Sequence, residues 1–302
     1  FKIIDSTGEQ KPIKIRRSHD NVYNLQGLTP EEILDRIDPN TRIFGLSLMF
    51  SQEWVVHRSF IKKIKEKFPN IIIVAGGEHP SAIPEYVLRD CPAIDYVIRG
   101  EGEFSMLEFS HNLFHKKSVN NIAGISFINK DNKFVDNGAS KRIEHIDKIP
   151  RPAWHLLKPE NYFNDYFTLG LAKGRNMPIL ATRGCPYQCT FCSSPTMWTT
   201  RYIMRDPKDI VDEIEWLVKE YDANDFEFFD LTAIIKKSWM LDFCKELKNR
   251  KIGNITWQLP VGTRSEALDK ETLQAIYDSG CAYICYAPES GSVRSLNIIK
   301  KR

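Results

Sequence analysis

The chain has 302 residues, of which 42% are hydrophobic, 11% aromatic and 27% charged. This composition supports sizeable cores and about two domains of ~150 residues each, and it excludes disorder, collagen and a coiled-coil rod. The 42 Lys and Arg residues nearly balance the 39 Asp and Glu residues, and the net charge of +3 argues against a nucleic-acid partner.

Strand-like and helix-like segments alternate through the first half of the chain. Continuous apolar strands separated by helices indicate an α/β fold with a doubly wound, Rossmann-like parallel sheet. We predict strands at residues 1–5, 42–49, 70–75 and 95–99, and helices at 30–37, 55–68, 84–89 and 103–114. Such sheets bind ligands at the turns after the strands, here residues 47–51, 76–81 and 100–103.

The alternation stops near the middle of the chain and then resumes. Residues 124–128 and 133–136 predict a hairpin, and the prolines of residues 149–152 predict an extended connector. Four βα units follow, with strands at 178–183, 225–230, 255–261 and 282–287 and helices at 206–221, 237–250, 270–279 and from 291. This succession favours a partial TIM-like (β/α)6 barrel, whose functional groups follow the strands. The predicted division is 1–121, a hairpin and linker at 122–174, and the barrel at 175–302.

The chain contains no apolar run that approaches the ~20 residues needed to span a bilayer. It shows no export signal, and its seven cysteines, an odd number, argue against a disulfide framework. We therefore expect a cytoplasmic protein. Because the first residue is Phe1 and the chain stops within a helical pattern at Arg302, we also expect a piece of a longer protein.

Three cysteines, Cys185, Cys189 and Cys192, stand in a C-x3-C-x2-C pattern directly after the first barrel strand. Three thiolates on one loop can converge on a metal centre, but structural zinc normally takes four ligands. A [4Fe–4S] cluster also takes four cysteines, so three would leave one iron open to another ligand. Structural zinc and three plain core cysteines remain alternatives. The other four are expected to be buried thiols: Cys91, Cys244, Cys281 and Cys285.

The cysteine spacing, the strand before it and Phe191 resemble the radical S-adenosylmethionine (SAM) superfamily. The resemblance implies that Cys185, Cys189 and Cys192 hold a [4Fe–4S] cluster whose open iron is chelated by SAM. It further implies that Phe191 packs near the adenine of SAM.

The same resemblance suggests further SAM contacts at the later strand ends. Asp230 would contact the SAM amine, although the glycine pair common in the family is absent there and a helix cap is the plain alternative. Arg264 would neutralise the SAM carboxylate unless it is a solvated arginine. Glu289 and Ser290, in an acidic-Ser-Gly element, would bind the ribose or the amine.

The first half of the chain resembles the cobalamin-binding domain of B12-dependent methyltransferases and mutases. The resemblance rests on residues 45–51 and 75–81, where glycines allow a ligand to approach the backbone closely. It implies cobalamin contacts at Ser47, Leu48, Met49, Ser51, Gly76, Gly77, Glu78, Gly100 and Glu101. A flavodoxin-like domain without a ligand is the alternative.

The lower axial ligand of cobalt cannot be identified in this sequence. In the family, the histidine motif that supplies it follows a first strand that would precede Phe1. We expect His79, in the Gly-Gly turn, to lie on the loop surface and not to bind cobalt.

The order of the two domains resembles the cobalamin-dependent radical SAM family over nearly the whole chain. The resemblance implies a C-methyltransferase that uses a 5′-deoxyadenosyl radical and methylcobalamin to methylate an unactivated carbon of a small molecule. It also implies an external electron donor of the flavodoxin or ferredoxin type. The alternatives are a cyclase or rearrangement enzyme of the same family and a non-catalytic module with structural zinc. We expect substrate specificity to lie outside this chain, which alone need not be active.

Overall fold

The computed structural model describes residues 1–9, 15–17, 24–163, 168–264 and 266–301. The chain forms two compact units, one of Leu28–Ile143 and the other of Phe1–Gly27 together with Glu144–Arg302. This division differs from the boundaries proposed from the sequence in two respects. The segment Phe1–Gly27 belongs to the unit that contains Glu144–Arg302, and the central hairpin belongs to the Leu28–Ile143 unit. Residues 164–167 of the predicted linker lie outside the described residues.

The first described strands, β1 (Ile15–Arg17) and β2 (Asn24–Gln26), form a small antiparallel pair. The strand predicted at residues 1–5 is wrong, since these residues take up no regular structure. Asp5 instead closes a turn: its carboxylate accepts from the backbone N of Gly8 and its carbonyl from that of Glu9, both at 3.0 Å. A local side-chain hydrogen bond of this kind competes with strand formation.

A five-stranded sheet organises the Leu28–Ile143 unit, in the order β3-β4-β5-β6-β7. The first three strands are parallel and the last two antiparallel. The strands are β3 (Ile43–Ser47), β4 (Ile72–Gly76), β5 (Tyr96–Ile98), β6 (Ile125–Ile128) and β7 (Phe134–Asp136). The helices are α1 (Pro30–Leu34), α2 (Trp54–Lys67), α3 (Glu78–Ala82), α4 (Pro84–Asp90) and α5 (Gly102–Phe114).

The central hairpin extends this sheet and does not form a linker. β6 pairs with β5, and Ile125 and Phe127 of β6 join the core around Phe109 of α5. On the other face, Ser126 donates a hydrogen bond of 2.9 Å to Asp136. The alternation of apolar and polar residues in β6 thus places one face in the core, which explains why the hairpin belongs to this unit.

The other unit contains a four-stranded parallel sheet in the order β13-β12-β11-β8. Its strands are β8 (Asn176–Ile179), β11 (Asp225–Phe228), β12 (Thr256–Thr263) and β13 (Cys281–Tyr286), and a separate antiparallel pair consists of β9 (Thr182–Arg183) and β10 (Ile203–Met204). The helices are α6 (Ser194–Trp198), α7 (Pro207–Tyr221), α8 (Lys237–Arg250), α9 (Lys270–Asp278) and α10 (Val293–Ile298). The predicted run of βα units is confirmed.

The two faces of this sheet differ in character. Phe228 and Trp257 pack against Phe243 of α8, with ring centroids 5.5 and 5.3 Å apart, in the main core. The alternate residues Asp225 and Gln258 are also buried, and Gln258 donates a 2.8 Å hydrogen bond to Asp225. One face is therefore an apolar core and the other a buried layer of hydrogen-bonded polar side chains, as expected from the period of two along a strand. No helix in the described residues is long and apolar enough to cross a membrane.

Candidate functional site

The cysteine loop, residues 184–192, follows β9 beside the carboxyl ends of the parallel strands. Gly184 opens it with φ of +86°, a conformation that glycine adopts without strain. The backbone N of Cys192 donates to the carbonyl of Cys189 at 3.1 Å, and that of Thr190 donates to the carbonyl of Ile299 at 3.0 Å. Backbone hydrogen bonds therefore fix the second half of the loop.

The three thiols of this loop are free, with Cys185 and Cys189 half-buried and Cys192 exposed. Burial raises the pKa of Cys185, so a metal centre is needed to hold it as a thiolate near neutral pH. Among the described residues, no three His, Cys, Asp or Glu side chains are close enough to hold one metal ion, and a zinc ligand set is not assembled. A four-iron cluster is wider than a single ion, and three thiols on one loop are donors of the type it takes.

Asp230 follows β11, and its side chain is turned inward. The buried carboxylate accepts hydrogen bonds from the backbone N of Ala181, at 3.2 Å, and from the backbone N and hydroxyl of Thr182. Burial raises the pKa of Asp230 to about 6, against the lowering effect of these hydrogen bonds. Asp230 thus links the strand ends that precede the cysteine loop. It does not cap α8, whose N-cap is Lys236.

Arg264 follows β12 and reaches the cysteine loop. Its side chain is 7% exposed, and its Nη1 lies 3.8 Å from the Sγ of Cys189. The guanidinium carbon lies 3.7 Å from the ring centroid of Tyr187, and Nε donates to Glu266 at 2.6 Å. The plain alternative of a solvated arginine is therefore wrong.

The remaining predicted SAM residues are more open. Phe191 is 58% exposed, and Ser290 is half-buried. Glu289 has a positive φ of 62°, and its carboxylate forms an ion pair with Lys301 at 2.7 Å. Their predicted contacts with SAM remain predictions.

Two buried hydroxyl groups near these strand ends are candidates for ligand hydrogen bonds. Thr232 Oγ1, two residues after Asp230, and Thr263 Oγ1, at the end of β12, have no hydrogen-bond partner among the described residues. Buried polar groups are normally paired, so a bound ligand would satisfy groups that the protein leaves open.

Sequence reasoning missed the partners that position these residues. Tyr187 lies inside the cysteine motif, where its aromatic side chain was a readable signal. Thr182 and Glu266 carry no such signal, because their roles depend on long-range placement of Asp230 and on the local turn after Arg264.

In the Leu28–Ile143 unit, the turns after β3 and β4 are joined by backbone hydrogen bonds. The N of Leu48 donates to the carbonyl of Gly76 at 2.7 Å, and the N of His79 donates to the carbonyl of Leu48 at 3.1 Å. Gly77 has φ of 101°, and a Cβ there would lie 2.6 Å from the carbonyl oxygen of Leu48. Only glycine allows this close approach.

The edges of these turns leave room for a large ligand. A Cβ on Gly45 would meet nothing within 4 Å, and one on Gly76 would meet only a carbonyl oxygen at 3.7 Å. Met49 and Phe50 are 47% and 57% exposed, while Ser47 is exposed and Glu78 half-buried. Open backbone beside exposed apolar side chains fits a broad, partly apolar group such as cobalamin.

The third predicted turn is tied to the second. Ser81 Oγ accepts from the backbone N of Gly100 at 3.2 Å. The buried carboxylate of Glu101 accepts from the N of Ile143 at 2.6 Å and pairs with Arg142 at 3.3 Å. The Glu101 side chain thus stabilises its own unit, and its predicted contact with cobalamin would have to involve its backbone.

The expectation that His79 lies on the loop surface is wrong. His79 is 4% exposed in α3, and its Nδ1 lies 2.9 Å from the hydroxyl of Ser51. Its Nε2 has no partner among the described residues, and burial lowers its pKa. The reason is the unpredicted α3, which begins directly after Gly77 and turns His79 against Trp54.

The four cysteines outside the loop have different environments. Cys91 and Cys244 are buried, as predicted. Cys281 and Cys285 are only half-buried, and burial raises the pKa of Cys281 to about 12. None of the four bonds to another cysteine in the described residues.

A cavity of about 460 Å³ lies within the unit that carries the cysteine loop. Most of its lining is apolar, and the indole N–H of Trp154, a lining residue, is buried without a partner among the described residues. The polar lining includes Asn176 and Glu227. Its apolar lining includes Ile4, Leu157, Tyr162, Pro178 and Phe229.

Comparisons with known proteins identify both halves of the chain. The model of the B12 binding domain family matches residues 15–109, and that of the radical SAM superfamily matches residues 179–302. In fold, the chain resembles the cobalamin-dependent SAM radical enzyme OxsB, with a TM-score of 0.74 at 20% identity over 90% of this chain and 39% of that one.

Two curated relatives are similar over most of the chain. An uncharacterized methyltransferase of Pyrococcus horikoshii, PH0819, is 29% identical over 95% of this chain and 61% of its own length. The anaerobic magnesium-protoporphyrin IX monomethyl ester cyclase of Rubrivivax gelatinosus is 32% identical over 78% of this chain and 42% of its own length. The chain therefore spans about half the length of these relatives.

The fold and the matched domains define a protein with a B12-binding domain followed by a radical SAM domain. Similar proteins include a cobalamin-dependent radical SAM methyltransferase, TokK of Streptomyces tokunonensis, and the cobalamin-dependent SAM radical enzyme OxsB. The chain belongs to the cobalamin-dependent radical SAM family.

Proposed function

We propose that the chain forms the cofactor-binding part of a cobalamin-dependent radical SAM methyltransferase that acts on an unactivated carbon of a small molecule. The observation that carries this proposal is the loop of Cys185, Cys189 and Cys192, held beside the ends of a parallel sheet on the same chain as a B12-binding domain. The relatives named as methyltransferases support the reaction type.

The three loop cysteines would hold the [4Fe–4S] cluster. When bound, the cluster supplies an electron for cleavage of SAM, and cobalamin supplies the methyl group. Phe191, Glu289 and Ser290 would contact SAM, with Arg264 and Asp230 beside the same loop. In this unit the unpartnered hydroxyls of Thr232 and Thr263 offer further hydrogen bonds to a ligand.

The B12-binding unit would hold cobalamin through its three turns. The backbone of Gly76 and Gly77 would provide a close contact surface and Met49 an apolar one, whereas Leu48 is 1% exposed and would support the turn from within the unit and not contact the ligand directly. Further contacts are proposed for Ser47, Ser51, Glu78, Gly100 and Glu101.

The cavity lined by Trp154 and Glu227 is a place where an apolar part of a small-molecule substrate could be enclosed. The electron would come from an external donor of the flavodoxin or ferredoxin type. A cytoplasmic location is part of the proposal, because the loop thiols need a reducing compartment. No nucleic acid takes part.

A second function is favoured by one observation. The 32% identical relative from Rubrivivax gelatinosus is a cyclase, so the same cofactors could serve ring formation in place of methyl transfer. The product distinguishes the two, since methylation adds one methyl group and cyclisation does not.

The proposal is tested by anaerobic reconstitution of the chain with iron, sulfide and hydroxocobalamin. We expect a brown protein that retains cobalamin on gel filtration and forms 5′-deoxyadenosine from SAM with a strong reductant. The variant C185A/C189A/C192A should lose iron and 5′-deoxyadenosine formation, while the half-buried control C285A should keep both. Iron binding that survives the triple substitution would disprove the assignment.

A further inference from the structure

Arg264, which follows β12, contacts a cysteine of the loop through its guanidinium. Its Nη1 lies 3.8 Å from the Sγ of Cys189, within the range of an N–H to sulfur hydrogen bond. With 7% of its surface exposed, it is shielded from the water that would otherwise weaken such a contact.

The guanidinium is held in this position from two further directions. Its plane lies over the ring of Tyr187, 3.7 Å from the centroid, and Tyr187 stands between Cys185 and Cys189 in the loop. Its opposite edge, Nε and Nη2, donates to the carboxylate of Glu266. The loop and Glu266 thus orient Arg264 so that Nη1 faces the sulfur.

The physical consequence concerns charge on the sulfur. A guanidinium is always protonated in proteins, and a hydrogen bond from it to a thiolate favours added negative charge there. Reduction of a [4Fe–4S] cluster adds one electron from a low-potential donor, forms no bond and moves no proton here. Hydrogen bonds to the ligand sulfurs and nearby charge are among the factors that set cluster potentials.

We propose that Arg264 raises the reduction potential of the cluster held by Cys185, Cys189 and Cys192, by donating a hydrogen bond to Cys189. Tyr187 and Glu266 act as positioning residues for Arg264. This inference rests on the proposed function, because it requires the cluster. It differs from the expectation that Arg264 neutralises the SAM carboxylate.

Because Arg264 is paired with Glu266, substitutions of the two residues should shift the reduction potential in opposite directions. Substitution R264Q removes the positive charge next to Cys189 and should make the potential more negative. Substitution E266Q keeps an oxygen that can accept from Nε, so that Arg264 stays oriented, but it removes the compensating negative charge and should make the potential more positive. Loose packing of the loop alone would not move the potential in opposite directions.

The test is an EPR-monitored potentiometric titration of the reconstituted chain without SAM. We expect R264Q to shift the reduction equilibrium about tenfold, or ~59 mV for one electron, toward the oxidised cluster. R264K, which keeps the charge without the planar fork, should shift it less. The control R201Q, an exposed arginine paired with Glu144 in the same unit, should leave it unchanged.

The outcomes separate this inference from the proposed function. If the unsubstituted chain incorporates no cluster, the proposed function fails. If the cluster forms in every variant but R264Q and E266Q both keep the original potential, the inference fails and the function stands. A loss of SAM affinity in R264Q at unchanged potential would likewise overturn it, in favour of the SAM-carboxylate role. Y187L should lower the potential less than R264Q, because it removes the ring that orients the guanidinium but keeps the charge.

Discussion

At the residue scale, Asp230 shows how one buried carboxylate can organise the approach to a cofactor loop. Its hydrogen bonds reach Ala181 and Thr182, which lie just before the loop, so its effect on cysteine placement passes through the backbone. A carboxylate in this position supports the loop without having to contact any ligand.

The buried position of Asp230 predicts a pH dependence of stability. Because its pKa in the folded protein is raised to about 6 from 3.8, its stabilising contribution is fully present below pH ~4 and is lost as the pH rises through about 6. The difference amounts to about 3 kcal/mol at most. D230N should therefore lack this loss, and urea unfolding at pH 4.5 and 7 measures it. Equal pH profiles for the two proteins would contradict the prediction.

Gly77 predicts a large cost for a small substitution. Its φ of 101° and ψ of −175° lie in a region that only glycine occupies readily, and a Cβ would meet the Leu48 carbonyl. G77A should reduce the free energy of unfolding by about 3 kcal/mol. G45A is the matched control, because its Cβ meets nothing within 4 Å, and it should be neutral or slightly stabilising. Denaturant unfolding compares the two, and equal losses would disprove the argument.

At the scale of elements, α7 is joined to the end of β8 through Arg205. The backbone N of Arg205 donates to the carbonyl of Ala181 at 2.9 Å, and its Nη1 donates to that of Leu180 at 3.0 Å. The same guanidinium pairs with Asp209 and Glu213 of α7, both at 2.6 Å. The ion pairs therefore fix the helix against the strand that leads into the cysteine loop.

Substitution within this network should cost stability. E213Q removes one partner of a guanidinium whose side chain is only 11% exposed, and leaves Asp209 as the other. We expect a loss of about 2 kcal/mol, below the 3–5 kcal/mol for breaking a buried pair completely. E215Q, on the same helix but in a more open pair with Arg250, which keeps Asp212 and Glu246 as partners, should cost less than about 1 kcal/mol. Thermal unfolding of both variants is the measurement, and equal melting temperatures would contradict the expectation.

Much of the element pattern was readable from the sequence, because the β-branched run of β4 and the amphipathic α7 carry their own periodicity. The cysteine loop was readable because its spacing is a local pattern. The hairpin of β6 and β7 was predicted as a hairpin, but its place in the sheet depends on long-range packing with Phe109. The burial of His79 and the contact of Arg264 with Cys189 were not readable from the sequence, because they too depend on packing between residues far apart in the chain.

At the scale of the whole molecule, each candidate cofactor site is supported by contacts within one unit. The turns around Gly77 are held by hydrogen bonds inside Leu28–Ile143, and the cysteine loop by contacts inside the other unit. The architecture thus resembles two binding sites carried by one chain, each with its own supporting structure.

The two sites should consequently respond independently to substitution. C185A/C189A/C192A should lose iron but bind hydroxocobalamin with a Kd within about twofold of the unsubstituted chain, as for independent sites. G77A should weaken cobalamin binding and keep the iron content. Equilibrium dialysis and iron analysis of both variants check this, and loss of both cofactors in either variant would contradict it.

The inclusion of Phe1–Gly27 in the same unit as Glu144–Arg302 affects the order in which the chain can fold during synthesis. Asn161 donates a hydrogen bond to the carbonyl of Gly8, 153 residues earlier, so this contact of the Gly8 segment can form only after Asn161 has been synthesised. At ~5–20 residues per second, a ribosome needs about 8–30 s to cover that interval. During this time the intervening B12-binding unit can fold on the nascent chain, before the Gly8 segment can make its hydrogen bond with Asn161.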